Sequence, residues 1–257
     1  MVAKAKKVQI QKKRGPGRLY AGLGLVAVIA AVAVVVSGGS PKSDTFPVSP
    51  NAPASTAEGY LLGNPNAPVQ VLEWADFECP GCRQFATLTE PDVRQRLVET
   101  GQVSLRYFFF PLTEIHRSAA SAAFAAACAA DQGKFWEMHD AIYQGFNDWA
   151  GGRARDPKKV FVRYAEGIGL DAAAWSTCYD SDKHHATIAS HVAAGVQRGV
   201  QSTPTFIIGD RTVSGALAYD QFKALVDSAA ARAPQAAAPA ADSARPAVSV
   251  PVPGPAR

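Results

Sequence analysis

The 257 residues carry 26 Lys and Arg against 22 Asp and Glu, a formal net charge of +4 at pH 7, and a length that fits one folded domain with tails. Seven of the basic residues, Lys4, Lys6, Lys7, Lys12, Lys13, Arg14 and Arg18, fall in the first eighteen positions with no acid among them, which leaves a mildly acidic remainder of 19 basic against 22 acidic residues. A basic run followed at once by an uncharged apolar one reads as a membrane flank and argues against nucleic-acid binding.

That apolar run covers residues 19–36. Eighteen helical residues at about 1.5 Å each reach about 27 Å, close to the roughly 30 Å of a bilayer's hydrocarbon core, with Tyr20 suited to the interface. Positive charge stays inside, so residues 1–18 are expected in the cytoplasm and everything after residue 36 outside. Ser37-Gly38-Gly39 offers small residues to a signal peptidase, the alternative being cleavage there, but the basic region is long and no Ala-x-Ala follows the apolar run, so the segment is expected to remain as an uncleaved signal-anchor of a single-pass cell-membrane protein. Its cysteines then lie in an extracytoplasmic compartment where disulfides persist. Residues 37–57, broken by Pro41, Pro47, Pro50 and Pro53, read as a flexible linker. Residues 231–257, an Ala/Pro-rich stretch containing Pro234, Pro239, Pro246, Pro251, Pro253 and Pro255, read as a disordered tail.

Between linker and tail, residues 58–230 form the folded unit. A short β-rich run at 69–74 precedes a helix over 82–101 that Pro91 is expected to interrupt, and 103–111 is a near-continuous apolar strand whose Tyr107 to Phe110 cluster reads as core. The two strands are expected to pair in parallel. A long helical stretch follows, about 115–200, which includes the alanine-rich 118–130. Strands at 205–209 and 212–215 and an amphipathic helix at 219–231 complete the pattern. The sequence thus predicts an α/β framework with an inserted helical block.

Cys79 and Cys82 stand two residues apart, a spacing open to a redox disulfide, half of a zinc site, or two buried thiols. Pro80 suits the first turn of a helix and so places Cys79 at the helix start, where free N–H groups and the macrodipole favour an exposed, anionic sulfur. Cys82 follows on the same helix face, at a spacing a disulfide can close. Zinc would need a second close pair. Cys128, Cys178, His184, His185 and His191 do not supply one, so no metal is expected, and the histidines read as helix-surface or satisfied core residues. In an oxidising compartment Cys128 and Cys178 are expected to form a second, structural disulfide, with two buried free thiols as the alternative.

Several motifs together resemble the membrane-anchored, DsbA-like thiol-disulfide oxidoreductases of bacteria: LLGNPNAPVQVLEWADFECPGC ending at Cys82, then Pro111, Leu112 and His116, then QGKFWEMHDAIY at 132–143 and GVQSTPTFIIGD at 199–210. The resemblance covers most of residues 60–230. It implies a thioredoxin-like α/β fold with an inserted α-helical subdomain, here preceded by the transmembrane helix. Cys79 then corresponds to the nucleophile, Cys82 to the resolving thiol, and Glu73 to a buried acid that relays the proton of the buried cysteine. A carboxylate on that strand would be desolvated and its pKa raised, the alternative being a solvent-facing glutamate. Pro80, Gly81, Thr203 and Pro204 correspond to the substrate-binding surface, with Pro204 as a cis-proline facing the disulfide and Thr203 offering backbone to an extended peptide. An ordinary trans turn proline is the alternative.

One departure stands out. Many strong oxidases of this kind place histidine between the cysteines, whereas this chain has Gly81, so thiolate stabilisation is expected to rest mainly on backbone N–H groups. The expected function is insertion of disulfides into reduced exported proteins, without a cofactor, followed by transfer of electrons to a quinone-linked membrane partner. The rival readings are a reductase of the same fold, serving for example cytochrome c maturation, and a non-catalytic peptide-binding module of thioredoxin-like fold.

Overall fold

The computed structural model describes residues 57–181 and 183–232. The expected basic terminus, anchor, nearly all of the linker and the tail beyond Arg232 lie outside the described residues. Among the described residues no helix is long and apolar enough to cross a membrane.

Five strands form one sheet in the order β1-β3-β2-β4-β5, with β1 at Tyr60–Leu62, β2 at Val69–Ala75, β3 at Val103–Phe109, β4 at Thr205–Ile208 and β5 at Arg211–Ser214. β2 and β3 run parallel, pairing Glu73 with Tyr107 and Trp74 with Phe108. β4 lies antiparallel on the other side of β2, opposing Phe206 to Glu73, and β5 continues antiparallel. β1 closes the far edge against β3, with Tyr60 opposite Tyr107. The short β1 was not evident from sequence. β3 is buried at every position but Arg106, as expected of a strand covered on both faces.

Helix α1 starts at Pro80 and runs through four consecutive helical segments to Val98, two of them wide π turns at Phe85–Thr89 and Arg94–Val98. Pro91 does not interrupt it. The first wide turn bonds the Glu90 N–H to the Phe85 carbonyl five residues back, and Pro91 then falls in the first turn of the next segment, where a missing N–H is tolerated. Phe85 packs on Phe206 with ring centroids 4.6 Å apart, joining α1 to β4.

The helical block comprises α2 (Ala119–Ala130), α3 (Phe135–Gln144), the short α4 (Phe146–Trp149), α5 (Pro157–Gly167), α6 (Ala172–Asp180) and α7 (His185–Gln197). In α2 the small side chains are buried almost throughout, so neighbouring helices can approach closely. The Trp175 indole N–H of α6 reaches the Ala125 carbonyl of α2 at 3.1 Å. The expected Cys128–Cys178 disulfide is present, with an S–S distance of 2.00 Å, and bridges α2 to α6. Helix α8, Tyr219–Arg232, packs Phe222 and Val226 into the core and extends two residues into the stretch expected to be tail.

On the other face of the sheet α7 lies directly on Trp74, which stacks on Phe108 at 4.6 Å and donates its indole N–H to the His191 carbonyl at 3.0 Å. Gly195 makes this approach possible, because a Cβ there would stand 2.7 Å from Trp74 Cδ1 and 2.9 Å from Phe110 Cδ2. Gly195→Ala would gain about 1 kcal/mol of helix propensity but overpack two rigid rings at about 3 kcal/mol, for a net loss of about 2 kcal/mol. A denaturant midpoint unchanged or raised in that variant would refute the assignment.

Candidate active site

Cys79 occupies the N-cap of α1 in extended backbone, φ −76° and ψ 124°, with Pro80 in the first turn. Its sulfur is less open than expected, since the residue is only 8% exposed. The loop before β4 covers it from the far end of the chain. The Cys79 thiol sits 3.3 Å from the Thr203 carbonyl, and the Thr203–Pro204 peptide bond is cis. A Cβ on Gly81 would lie 3.3 Å from Pro204 Cδ and 3.7 Å from the Cys79 sulfur, so the glycine lets the two loops touch.

The two thiols are opposites. That of Cys79 is pulled down from 9.0 to about 5, chiefly by a hydrogen bond from the Cys82 thiol, against the opposing effect of burial; Thr203 and the backbone N–H groups of Cys82 and Gly81 add to it. Thr203 meets the sulfur twice. Its carbonyl accepts from the protonated thiol, while its buried hydroxyl, which has no other partner, is free to donate to the thiolate. The expectation that backbone N–H groups would dominate is therefore corrected, because the neighbouring thiol contributes more. Cys82 is fully buried, and burial, then the bond to Cys79 and its charge, hold its pKa well above the ordinary value. The Asp76 N–H opposes this, donating to the Cys82 sulfur at 3.4 Å.

Glu73 lies beneath the pair on the middle of β2, 2% exposed. Burial first, and the charge of Glu90 second, push its carboxyl well above the usual carboxylate range, while Arg94 pulls the other way. Cys128 and Cys178 come close to His184, yet both sulfurs are spent in their disulfide and His184 bonds Asp131 at 3.0 Å.

Three residues outside the expected set complete the site. Asp76 directly follows β2, and its carboxylate accepts from the Glu78 N–H at 2.7 Å, the Leu112 N–H at 2.9 Å and His116 Nδ1 at 2.7 Å. Its backbone carbonyl takes the Cys79 N–H at 3.1 Å. The bond to Asp76 is the main reason the His116 pKa is raised; burial opposes it, and the charges of Asp76, Cys79 and Glu78 reinforce it. An imidazole biased toward its cationic form thus stands in the field of the thiolate, supplied by the loop after β3 and not by the residue between the cysteines. Glu78 is buried and accepts from the N–H groups of Ser118 and Gly151, at 2.6 and 2.7 Å, tying the cysteine loop to the helical block. In the sequence His116 was visible only as part of a motif, and Asp76 and Glu78 only as neighbours of Cys79.

A family model described as Thioredoxin matches residues 55–228. The chain belongs to the thioredoxin family. This thioredoxin-family protein is 36% identical over 181 residues to the Na(+)/H(+) antiporter NhaA 3 of Salinispora tropica, a match that covers 70% of the chain and 26% of the antiporter. It is also 36% identical over 83 residues to the probable disulfide bond formation protein D of Bacillus anthracis, covering 32% of this chain and 38% of that protein. The matches thus span well under half the length of either relative. Among solved structures, alpha-DsbA1 of Wolbachia pipientis superposes with a TM-score of 0.60 at 22% identity, over 67% of this chain and 91% of that one. The likeness is one of fold: a thioredoxin-like α/β sheet carrying a helical insertion.

Proposed function

We propose that this thioredoxin-family protein is a protein thiol-disulfide oxidoreductase that introduces disulfides into reduced exported proteins, anchored by residues 19–36 and working outside the cytoplasmic membrane. The observation that carries the reading is the split between the two thiols, one held near pKa 5 at a helix N-cap and the other buried and held protonated. The name of the Bacillus anthracis relative, a probable disulfide bond formation protein, supports it.

In the oxidised enzyme a substrate thiolate attacks the Cys79 sulfur. The Cys79–Cys82 bond breaks, a substrate–Cys79 bond forms, and the electron pair passes to Cys82, which takes the proton of the Glu73 carboxyl. A second substrate thiolate then attacks the substrate sulfur and releases Cys79 as the thiolate its surroundings favour. The substrate has lost two electrons and the enzyme has gained them. Pro80, Gly81, Thr203 and Pro204 border the sulfur and offer the surface on which an extended peptide would lie. The reduced enzyme would pass its electrons to a quinone-linked membrane partner.

A thiol lowered from 9.0 to about 5 favours the reduced form at pH 7 by at most about 2.7 kcal/mol, or roughly 60 mV, and the sulfur's partial contact with solvent reduces this. The Cys79–Cys82 potential, measured against glutathione, is expected to be tens of millivolts less negative than thioredoxin's, which is about −270 mV. A value at or below thioredoxin's would assign the protein to reduction instead.

A further inference from the structure

Glu73, once it has given up or received a proton, has no direct route to solvent: it is 2% exposed and its Oε2 has no partner. Of the four other buried side-chain polar atoms without hydrogen-bond partners among the described residues, two, Glu90 Oε2 and His139 Nε2, face each other at 3.7 Å. Orphaned buried polar atoms are costly, and three in one region call for a role. They share one face of the sheet. His139 packs on Tyr107 with ring centroids 5.3 Å apart, and Tyr107 is the register partner of Glu73 on β3.

The outer end of this row is open. His139 Nδ1 meets Asp140 Oδ1 at 2.8 Å, and the Asp140 side chain, 38% exposed, lines a cavity of about 220 Å³ with Ala86, Thr87, Pro91, Arg94 and Tyr143. Arg94 fixes the geometry. Its Nε reaches Glu90 Oε1 at 2.8 Å and its two terminal nitrogens reach the Asp140 oxygens at 2.9 and 2.8 Å. The two π turns of α1 flank the segment Glu90–Val93 and so set Glu90 facing inward.

We propose that Glu90, His139 and Asp140 form a proton path between Glu73 and solvent. The inference rests on the redox reading above. When the Cys79–Cys82 bond opens, Cys82 takes the Glu73 proton; Glu73 is refilled from Glu90, Glu90 from His139 Nε2, and His139 through Nδ1 from solvent beside Asp140. One proton enters for each disulfide opened, and the path runs in reverse when the disulfide forms. The other groups near Glu73 do not exchange protons at neutral pH. Tyr107 and Tyr143 are held protonated by burial, and Arg94, between Glu90 and Asp140, stays charged. Cys82 is the path's inner terminus.

The test is stopped-flow reduction of the oxidised full-length protein by dithiothreitol at pH 7, followed by tryptophan fluorescence. His139→Ala is expected to slow the proton-dependent step at least about tenfold, to change its pH profile, and to be restored by added imidazole, which the 220 Å³ cavity beside Asp140 can admit. Asp140→Asn, an isosteric change at a partly exposed side chain, is expected to slow the step in the same direction, in protein whose circular dichroism matches wild type. An unchanged rate in both variants, or a slowed rate in folded protein that imidazole does not restore, overturns the path. Failure of the redox reading shows separately, as a wild-type chain that forms no dithiothreitol-reducible Cys79–Cys82 bond, and it overturns both.

Discussion

Cys79→Ala is expected to lower the rate at which the protein oxidises a reduced, disulfide-requiring substrate to that of buffer alone, a loss of at least about 10³-fold, on the scale of losing a catalytic nucleophile. Cys82→Ala should instead trap substrate on Cys79 as a mixed disulfide. The cause is ionisation. With the Cys79 thiol at about 5, thiolate is nearly complete at pH 7, so alkylation of the reduced protein should be almost independent of pH from about 6 to 8 and fall away below about 5. The linkage has a definite sign. A thiol lowered on folding from 9.0 to about 5 contributes its full stabilisation of the reduced protein above pH 9 and loses it as pH falls through about 5. The reduced form should therefore lose stability relative to the oxidised form across that window. Equal oxidation by wild type and Cys79→Ala, or an alkylation midpoint near 9, would sink the mechanism.

Removing the second disulfide is expected to cost stability and leave the redox chemistry standing. The Cys128–Cys178 bridge closes a sequence separation of 50 residues, for which the loop-entropy relation gives at most about 4 kcal/mol. At about 2–4 °C per kcal/mol for a domain of this size, the double alanine variant should melt roughly 10 °C lower. Cys128 sits near the end of α2 opposite Ser118, the residue that meets Glu78, and ten helical residues separate the two by about 15 Å. Alkylation of Cys79 should therefore keep its wild-type pH profile below the new melting point. A melting temperature within about 2 °C of wild type would show that the bridge constrains little.

Much of the framework could be read from local pattern. Val69–Ala75 was legible as a short β-rich run, Val103–Phe109 as a near-continuous apolar run bounded by Gly101 and Pro111, and α8 because its apolar positions follow a helical period. Tyr60–Leu62 was not, since three residues are too few to show alternation and it gains its identity only by pairing with β3. Pro91 misled because its cost depends on hydrogen bonds that a π turn rearranges. In the site, Cys79, Pro80 and Cys82 declare themselves by adjacency. The near-burial of Cys79 does not, for it depends on Thr203, which is 124 positions away. His116 and His139 are equally hidden: an imidazole's importance lies in the carboxylate it meets, and Asp76 and Glu90 reach theirs only through the fold.

Glu78 has a consequence for the molecules this protein would meet. With one oxygen committed to the Ser118 N–H and the other to that of Gly151, the cysteine loop is clamped to the helical block and has little travel of its own. Conformational adjustment during exchange then falls to the client. Chains still threading or only loosely collapsed should be favoured over finished proteins, whose thiols cannot swing into a fixed attack line.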